Sequence, residues 1–286
     1  IDKAMTAHDE IIGDYNKKYN MYSEETETVI LEEQKIEEIM EEALENGEFK
    51  VFYQPKIDLK TNKITSCEAL VRWFREGRII SPNKFVPLFE KNRFIIKLDK
   101  YIFQKACEDI QYINKLMKEK TFLNNCNHKN NNNEPFNNNF FITASINISK
   151  EHFAYDNFII EYYDMVKQTN VPRELIELEI TESASVYKGI DLKQITKDMK
   201  QKGFTIALDD FGTGYSSLNM LQDLSIDVLK IDKSFIDRID ESNLVKYIID
   251  MAKDFNIKTV AEGVENKEQV DILKNMGCDM AQGYYY

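Results

Sequence analysis

The sequence predicts an α/β fold, a closed (β/α)-barrel. Three observations predict it. Strand-like and helix-like patterns alternate along most of the chain, giving about eight strands, and repeated strand–helix units imply parallel strands with right-handed crossovers. No glycine fingerprint of a dinucleotide-binding sheet is present, which favours closure over a doubly wound sheet. Several strands end in polar or acidic residues, at the end where barrels carry their chemistry.

The elements follow in order. Residues 1–32 are polar, fit no strand pattern and read as a linker or the tail of a preceding domain. From Thr28, the spacing of Ile36, Ile39, Met40, Ala43 and Leu44 predicts a helix that Gly47 stops. Phe49–Tyr53 reads as a strand leading into Gln54-Pro55, and Ile64–Trp73 as a second strand. Ser81-Pro82 opens a short helix through Phe85, Leu88 and Phe89. A longer helix is predicted from Leu98 to Met117, with Ile102, Phe103, Ala106, Ile110 and Ile113 on one face. The asparagine-rich run at 118–139 cannot build a core and is expected to be a mobile surface insertion without catalytic residues. Strands are then expected at Phe141–Ile148, Leu175–Thr181, 204–210, Val228–Asp232, Thr259–Glu262 and Asp279–Tyr284. Helices between them are expected at Phe158–Val166, Leu192–Lys202, near Leu218, Leu244–Phe255 and Glu268–Met276.

The formal charge of −12 argues against nonspecific binding to nucleic acid or anionic lipid. An anionic substrate therefore needs local cations. Cys67, Cys107, Cys126 and Cys278 are scattered without CxxC spacing, and His8, His128 and His152 lack ligand spacing. That pattern suits reduced thiols of a cytoplasmic protein and disfavours zinc. No signal peptide or membrane-length apolar run is visible, so no direct membrane contact is expected of this fragment. The chain starts at Ile1 and reads as part of a longer protein, whose anchor, if it has one, lies elsewhere.

The stretch FTIALDDFGTGYSSL, Phe204 to Leu218, carries most information: a buried strand, two adjacent acids, then a Gly/Ser loop. Paired carboxylates there suit a divalent metal with oxygen ligands; an acidic turn closing a strand is the bland alternative. Strand parity decides which side chains enter the barrel. If Ile206 and Leu208 face the helices, Asp209 faces inward; the same alternation turns in Lys230 and Asp232, Glu177, Glu179 and Thr181, and Asn147. Glu262 shares a face with Val260, and Glu68 with Arg72. Five acids and an amide on one rim would repel one another unless cations hold them. Metals are the favoured cations.

These residues carry a family resemblance. Glu68-Ala69-Leu70, the ELEITE stretch of Glu177–Glu182, DDFGTGYSSL, LKIDKSF at Leu229–Phe235, AEGVE at Ala261–Glu265 and QGY at Gln282–Tyr284 resemble the EAL-domain cyclic di-GMP phosphodiesterases. The match covers about residues 33–286. It implies a modified TIM barrel with an antiparallel first strand. The activity implied is two-metal hydrolysis of cyclic di-GMP to linear pGpG, which ends a bacterial second-messenger signal.

By the same likeness the metal ligands are Glu68, Asn147, Glu179, Asp209, Asp210 and Glu262, holding two Mg2+ or Mn2+ ions. Lys230 and Asp232 would hold or activate the attacking water, and Gln282 would help position it. Glu182 would brace the DDFGTGYSSL loop, which the family ties to dimer contacts, so a homodimer is expected. Gln54, Arg72 and Glu265 match positions near the substrate. Arg72 suits a phosphate oxygen through its planar guanidinium, a rim salt bridge being its other reading. Lys230 could act as a base or as a cationic stabiliser. Five carboxylates, two divalent ions and Lys230 are formally neutral together, so the site can receive an anionic phosphate.

The opening Asp2-Lys3-Ala4-Met5 is similar to the last helix of diguanylate cyclase (GGDEF) domains, an ordinary linker helix being the alternative. Two departures stand out: Phe89–Arg93 is more basic than usual in the family, and the asparagine run is absent from most members. A competing reading from another class is a receptor module that binds cyclic di-GMP without cleaving it; such members usually lack a metal or lysine position, and none is missing here.

Overall fold

A computed structural model describes residues 24–127, 141–186, 189–212 and 218–286. Contacts divide the described residues into two compact units, one made of residues 24–50 with 72–92 and the other of 51–71 with the described residues from 93 to 286.

In the smaller unit, α1 (Glu24–Glu45) ends where Gly47 turns left-handed at φ 64°. The hairpin of β2 (Lys63–Arg75) and β3 (Arg78–Ile80) pairs Trp73 with Ile80 antiparallel, and α2 (Pro82–Lys91) follows with proline in its first turn. The unit is organised by aromatic packing: Trp73, Phe49, Phe85 and Phe89 are buried, with Phe49 and Trp73 ring centroids 4.8 Å apart and Trp73 edge-on to Phe85 at 5.5 Å. Glu48 ties this cluster, accepting from Trp73 Nε1 and Arg75 Nη1, each at 2.9 Å.

The larger unit is the barrel. Its further elements are β1 (Phe49–Asp58), α3 (Ile95–Asn127), β4 (Thr143–Asn147), α4 (Phe158–Thr169), β5 (Ile176–Thr181), α5 (Leu192–Gln201) and β6 (Thr205–Phe211). After these come α6 (Leu218–Asp223), β7 (Val228–Ile231), α7 (Lys233–Ile236), α8 (Leu244–Asp254), β8 (Lys258–Ala261), α9 (Lys267–Met276) and β9 (Met280–Ala281). The hydrogen-bonded order β1-β9-β8-β7-β6-β5-β4-β2, closed by β1 on β2, makes an eight-stranded barrel. β1 runs antiparallel to β9 while β2, β4 and the strands that follow pair in parallel. The predicted fold, including the reversed first strand, is the one observed.

Parity holds in the strand interiors. Ile146, Leu178, Ile180, Ile206, Leu208, Leu229 and Ile231 are buried, with α5 packed on β6 and α8 on β8. Inside, Ala207, Val228 and Val260 cluster with Met280. Both faces of β5, β6, β7 and β8 are thus largely buried, as a parallel sheet requires. Helix ends follow local chemistry: Asn266 and Gln269 form a reciprocal capping box on α9, and Gly277 ends it at φ 76°.

Several elements depart from expectation. β1 extends to Asp58 instead of ending at Tyr53, because its proline lies in the strand without interrupting the pairing at Ile57 and Asp58. α3 continues to Asn127, so residues 118–127 belong to a helix and not to the expected irregular insertion. β9 is only Met280–Ala281, shorter than the predicted strand. The hairpin strand β3 and the one-turn helix α7 had no periodic signal long enough to read. Residues 1–23, with the cyclase-like opening, and 128–140 lie outside the described residues. Among the described residues no helix is long and apolar enough to cross a membrane.

Trp73→Ala should remove the centre of the aromatic cluster and destabilise the smaller unit by about 3–5 kcal/mol. Chemical denaturation monitored by near-ultraviolet circular dichroism would measure the loss.

Candidate active site

The site lies at the carboxyl ends of the barrel strands, around a cleft of about 460 Å3. Its centre is the Lys230 ammonium, almost fully buried on β7. Lys230 Nζ lies 2.8 Å from Glu179 Oε2, 2.9 Å from Asp209 Oδ2, 2.8 Å from Glu262 Oε1 and 3.4 Å from Glu68 Oε2. These acids come from β5, β6, the end of β8 and β2. Asn147, the last residue of β4, donates Nδ2 to Glu68 Oε1 at 3.1 Å. Gln282, just past β9, donates Nε2 to the other Glu68 oxygen at 2.6 Å and to Gln54 Oε1 at 3.0 Å.

Two consecutive residues of a regular strand point to opposite faces, yet Asp209 and Asp210 both serve this rim. The β6–β7 register shifts between Leu208 and Phe211, and Asp210 adopts a left-handed φ of 56°. Such a bulge re-aims a side chain next to a functional site. As a result, carboxylate oxygens of Asp209, Asp210 and Glu262 come within 4.8 Å of one another. The donor set is all oxygen, three of it carboxylate at close range, which fits a hard divalent cation.

The acids do not ionise alike. In Glu179, burial works to raise the pKa, but Lys230 and Lys56 together outweigh it and hold the carboxyl well below the usual range. Burial pushes the Glu262 carboxyl up to about 8; Lys230 opposes, while Asp209 and Glu68 repel its charge. Asp209 and Asp210 are also raised, chiefly by burial. One ammonium cannot neutralise four carboxylates. Glu179, with a second lysine, stays charged most readily, while burial favours the protonated form of Glu262, Asp209 and Asp210.

The remaining predicted residues fall around this centre. Glu182 begins a short 3-10 turn after β5 and accepts from the Gly212 backbone N–H at 3.0 Å. Gly212 sits at φ 102° against the Phe235 ring, which a Cβ would strike at 2.3 Å. The loop at 213–217 lies outside the described residues. Asp232 caps α7, accepting from the Ser234 N–H at 2.9 Å, and is not part of the Lys230 cluster. Glu265 lines the cleft and pairs with Lys233. Arg72 belongs to the smaller unit, whereas the cluster is built from the larger unit alone.

One residue escaped the sequence reading. Lys56 on β1 is fully buried, with Nζ 2.7 Å from Glu179 Oε1 and 3.0 Å from Glu177 Oε1. The signal was parity: Lys56 stands two residues after Gln54, on the same strand face. The expected strand end at Tyr53 concealed it.

Fold and site together define an α/β barrel that gathers an oxygen-rich, acidic centre at the carboxyl ends of its strands. The chain belongs to the EAL domain family, whose profile matches residues 37–286. It is similar to signaling protein YkoW of Bacillus subtilis strain 168, 32% identical over 277 residues, covering 94% of this chain and 32% of that protein. It is also similar to the probable cyclic di-GMP phosphodiesterase PdeG of Escherichia coli strain K12, 34% identical over 256 residues, covering 87% of this chain and 46% of that protein. The chain thus spans about a third to a half of these two relatives. The solved EAL enzyme Bd1971, in its cAMP- and cyclic-di-GMP-bound form, superposes with a TM-score of 0.78 at 30% identity, covering 90% of this chain and 66% of that one.

In metal-free protein, the raised Glu262 pKa makes stability depend on pH. The unfolded chain releases this proton near 4.5 and the folded one near 8. Stability in excess chelator should therefore fall as pH rises through that window, with Asp209 and Asp210 adding in the same direction. Urea titrations at several pH values should show the slope, and Glu262→Gln should reduce it to the part that Asp209 and Asp210 contribute.

Proposed function

We propose that this domain hydrolyses cyclic di-GMP to linear pGpG with two divalent cations, Mg2+ or Mn2+. The observation that carries the reading is the convergence of Glu68, Asn147, Glu179, Asp209 and Glu262 around one buried lysine in an EAL-family barrel. Glu68, Asn147, Glu179, Asp209, Asp210 and Glu262 would hold the cations. Bound there, the ions would supply charge stabilisation for phosphoryl oxygens and a water acidic enough to attack at neutral pH.

The chain's own groups have separate tasks. Lys230, gripped by carboxylates that outweigh its burial and raise its pKa, serves as a cation beside the phosphoryl group. Asp232, held by its cap contact with Ser234, would take a proton from the attacking water. Gln282 donates through Nε2 to Glu68 and Gln54, while its buried Oε1 has no partner among the described residues and is the acceptor that orients that water. Gln54 and Glu265 line the cleft where the dinucleotide would lie, and Arg72 would contact a phosphate. Glu182 holds the start of the loop after Asp210 through the Gly212 N–H. Buried free thiols at Cys67, Cys107 and Cys278 support a cytoplasmic location.

The active form proposed is a homodimer. Leu244, Tyr247 and Phe255 are 47%, 65% and 39% exposed; Leu244 and Tyr247 stand about one turn apart on α8, and Phe255 is the residue that caps its end. An apolar surface of this kind suits an isologous contact with a second copy.

Asp209→Asn should lower turnover of cyclic di-GMP by at least about 100-fold, and excess chelator should abolish it. Nucleotide separation after incubation with and without Mn2+ is the measurement. Full activity in either condition would sink the two-metal reading. Tyr247→Glu should shift the domain toward monomer in sedimentation experiments and lower specific activity; a fully active wild-type monomer at high dilution would contradict the dimer.

A further inference from the structure

We propose that Lys56 is a positioning residue for this reaction: from below the rim it fixes the Glu179 carboxylate so that a single oxygen faces the site. The inference rests on the reading of Glu179 as a metal ligand. Glu179 is fully buried and its two oxygens have different partners. Oε1 points down to Lys56 Nζ at 2.7 Å, and Oε2 points up to the Lys230 centre at 2.8 Å. A carboxylate so divided cannot rotate to offer both oxygens upward without giving up its lower ion pair.

Glu177 completes the device. It stands two residues before Glu179 on the same face of β5 and holds Lys56 Nζ at 3.0 Å. The ammonium is thereby suspended between two rungs of one strand. Lys56 and Glu177 are a formally neutral pair inside a barrel whose interior also contains Ala207, Val228 and Val260. Buried ion pairs contribute little or nothing to stability compared with well-packed apolar side chains. A positioning role accounts for retaining these charges directly under a site ligand, as hydrogen-bonded outer partners orient metal ligands elsewhere.

The sign of one measurement separates positioning from simple charge balance. Removing a positive charge near the site should by Coulomb attraction tighten binding of a divalent cation. Losing the grip on Glu179 should weaken it. Calorimetric titration of the substrate-free domain with Mn2+ should show binding about 10-fold weaker in Lys56→Met, with a matching rise in the Mn2+ needed for half-maximal turnover. Unchanged or tighter binding overturns the proposal, as does a fall in thermal stability with Mn2+ affinity intact. Should Lys56→Met fail to fold, the double variant Lys56→Met/Glu177→Gln leaves no second buried carboxylate without its cation, and the same 10-fold loss is expected. Glu179→Gln is the reference. If it binds Mn2+ like wild type, the ligand reading of Glu179 fails; if it binds weakly while the Lys56 variants do not, only the positioning role fails.

Discussion

Everything at the active end of this barrel depends on confining like charges in a buried space. Glu68, Glu179, Asp209 and Glu262 surround one ammonium, and none could stay ionised there without cations. Lys230 satisfies part of that demand and Lys56 a further part from below. The rest appears as raised carboxyl pKa values at Asp209, Asp210 and Glu262. A site with unmet negative charge and oxygen donors at close range is one that divalent cations stabilise on arrival. The acidity that disfavours polyanion binding by the chain as a whole is, at this rim, what would favour divalent cations.

The barrel supplies the precision. Glu68, Asn147, Glu179, Asp209 and Lys230 lie within strands and Glu262 and Gln282 one step beyond them, so their positions follow from strand register and not from loop conformation. An irregularity in β6 is also informative. The shift in register after Leu208 and the left-handed backbone at Asp210 place two neighbours in sequence on one rim. That conformation is costly for a residue with a side chain. The adjoining Glu182–Gly212 hydrogen bond and the close seat of Gly212 on Phe235 stabilise the turn that contains it.

The interior below the rim is a second tier. Ion pairs descend from Lys230 through Glu179 and Lys56 to Glu177, and Glu177 also borders a polar cleft with Ser66, Thr143 and Thr205. The charged groups thus form a continuous column through the barrel, flanked by small and branched apolar side chains. Changes deep in the column therefore have a physical route to the rim.

The sequence alone determined the alternation of strands and helices, the inward parity of Asn147, Glu177, Glu179, Asp209 and Lys230, and the motifs that mark the family. These are local or period-two properties, and burial on both strand faces enforces them. Tertiary structure decided the rest. It showed that β1 reaches Asp58, bringing in Lys56, because pairing with β9 sustains a strand through a proline that local pattern treats as a stop. It extended α3 to Asn127 past weak periodicity. It turned Asp210 onto the same rim as Asp209, and engaged Asp232 as a helix cap outside the Lys230 cluster. Which oxygen meets which ammonium is set by strands distant in sequence closing a ring, and no one-dimensional period encodes that closure.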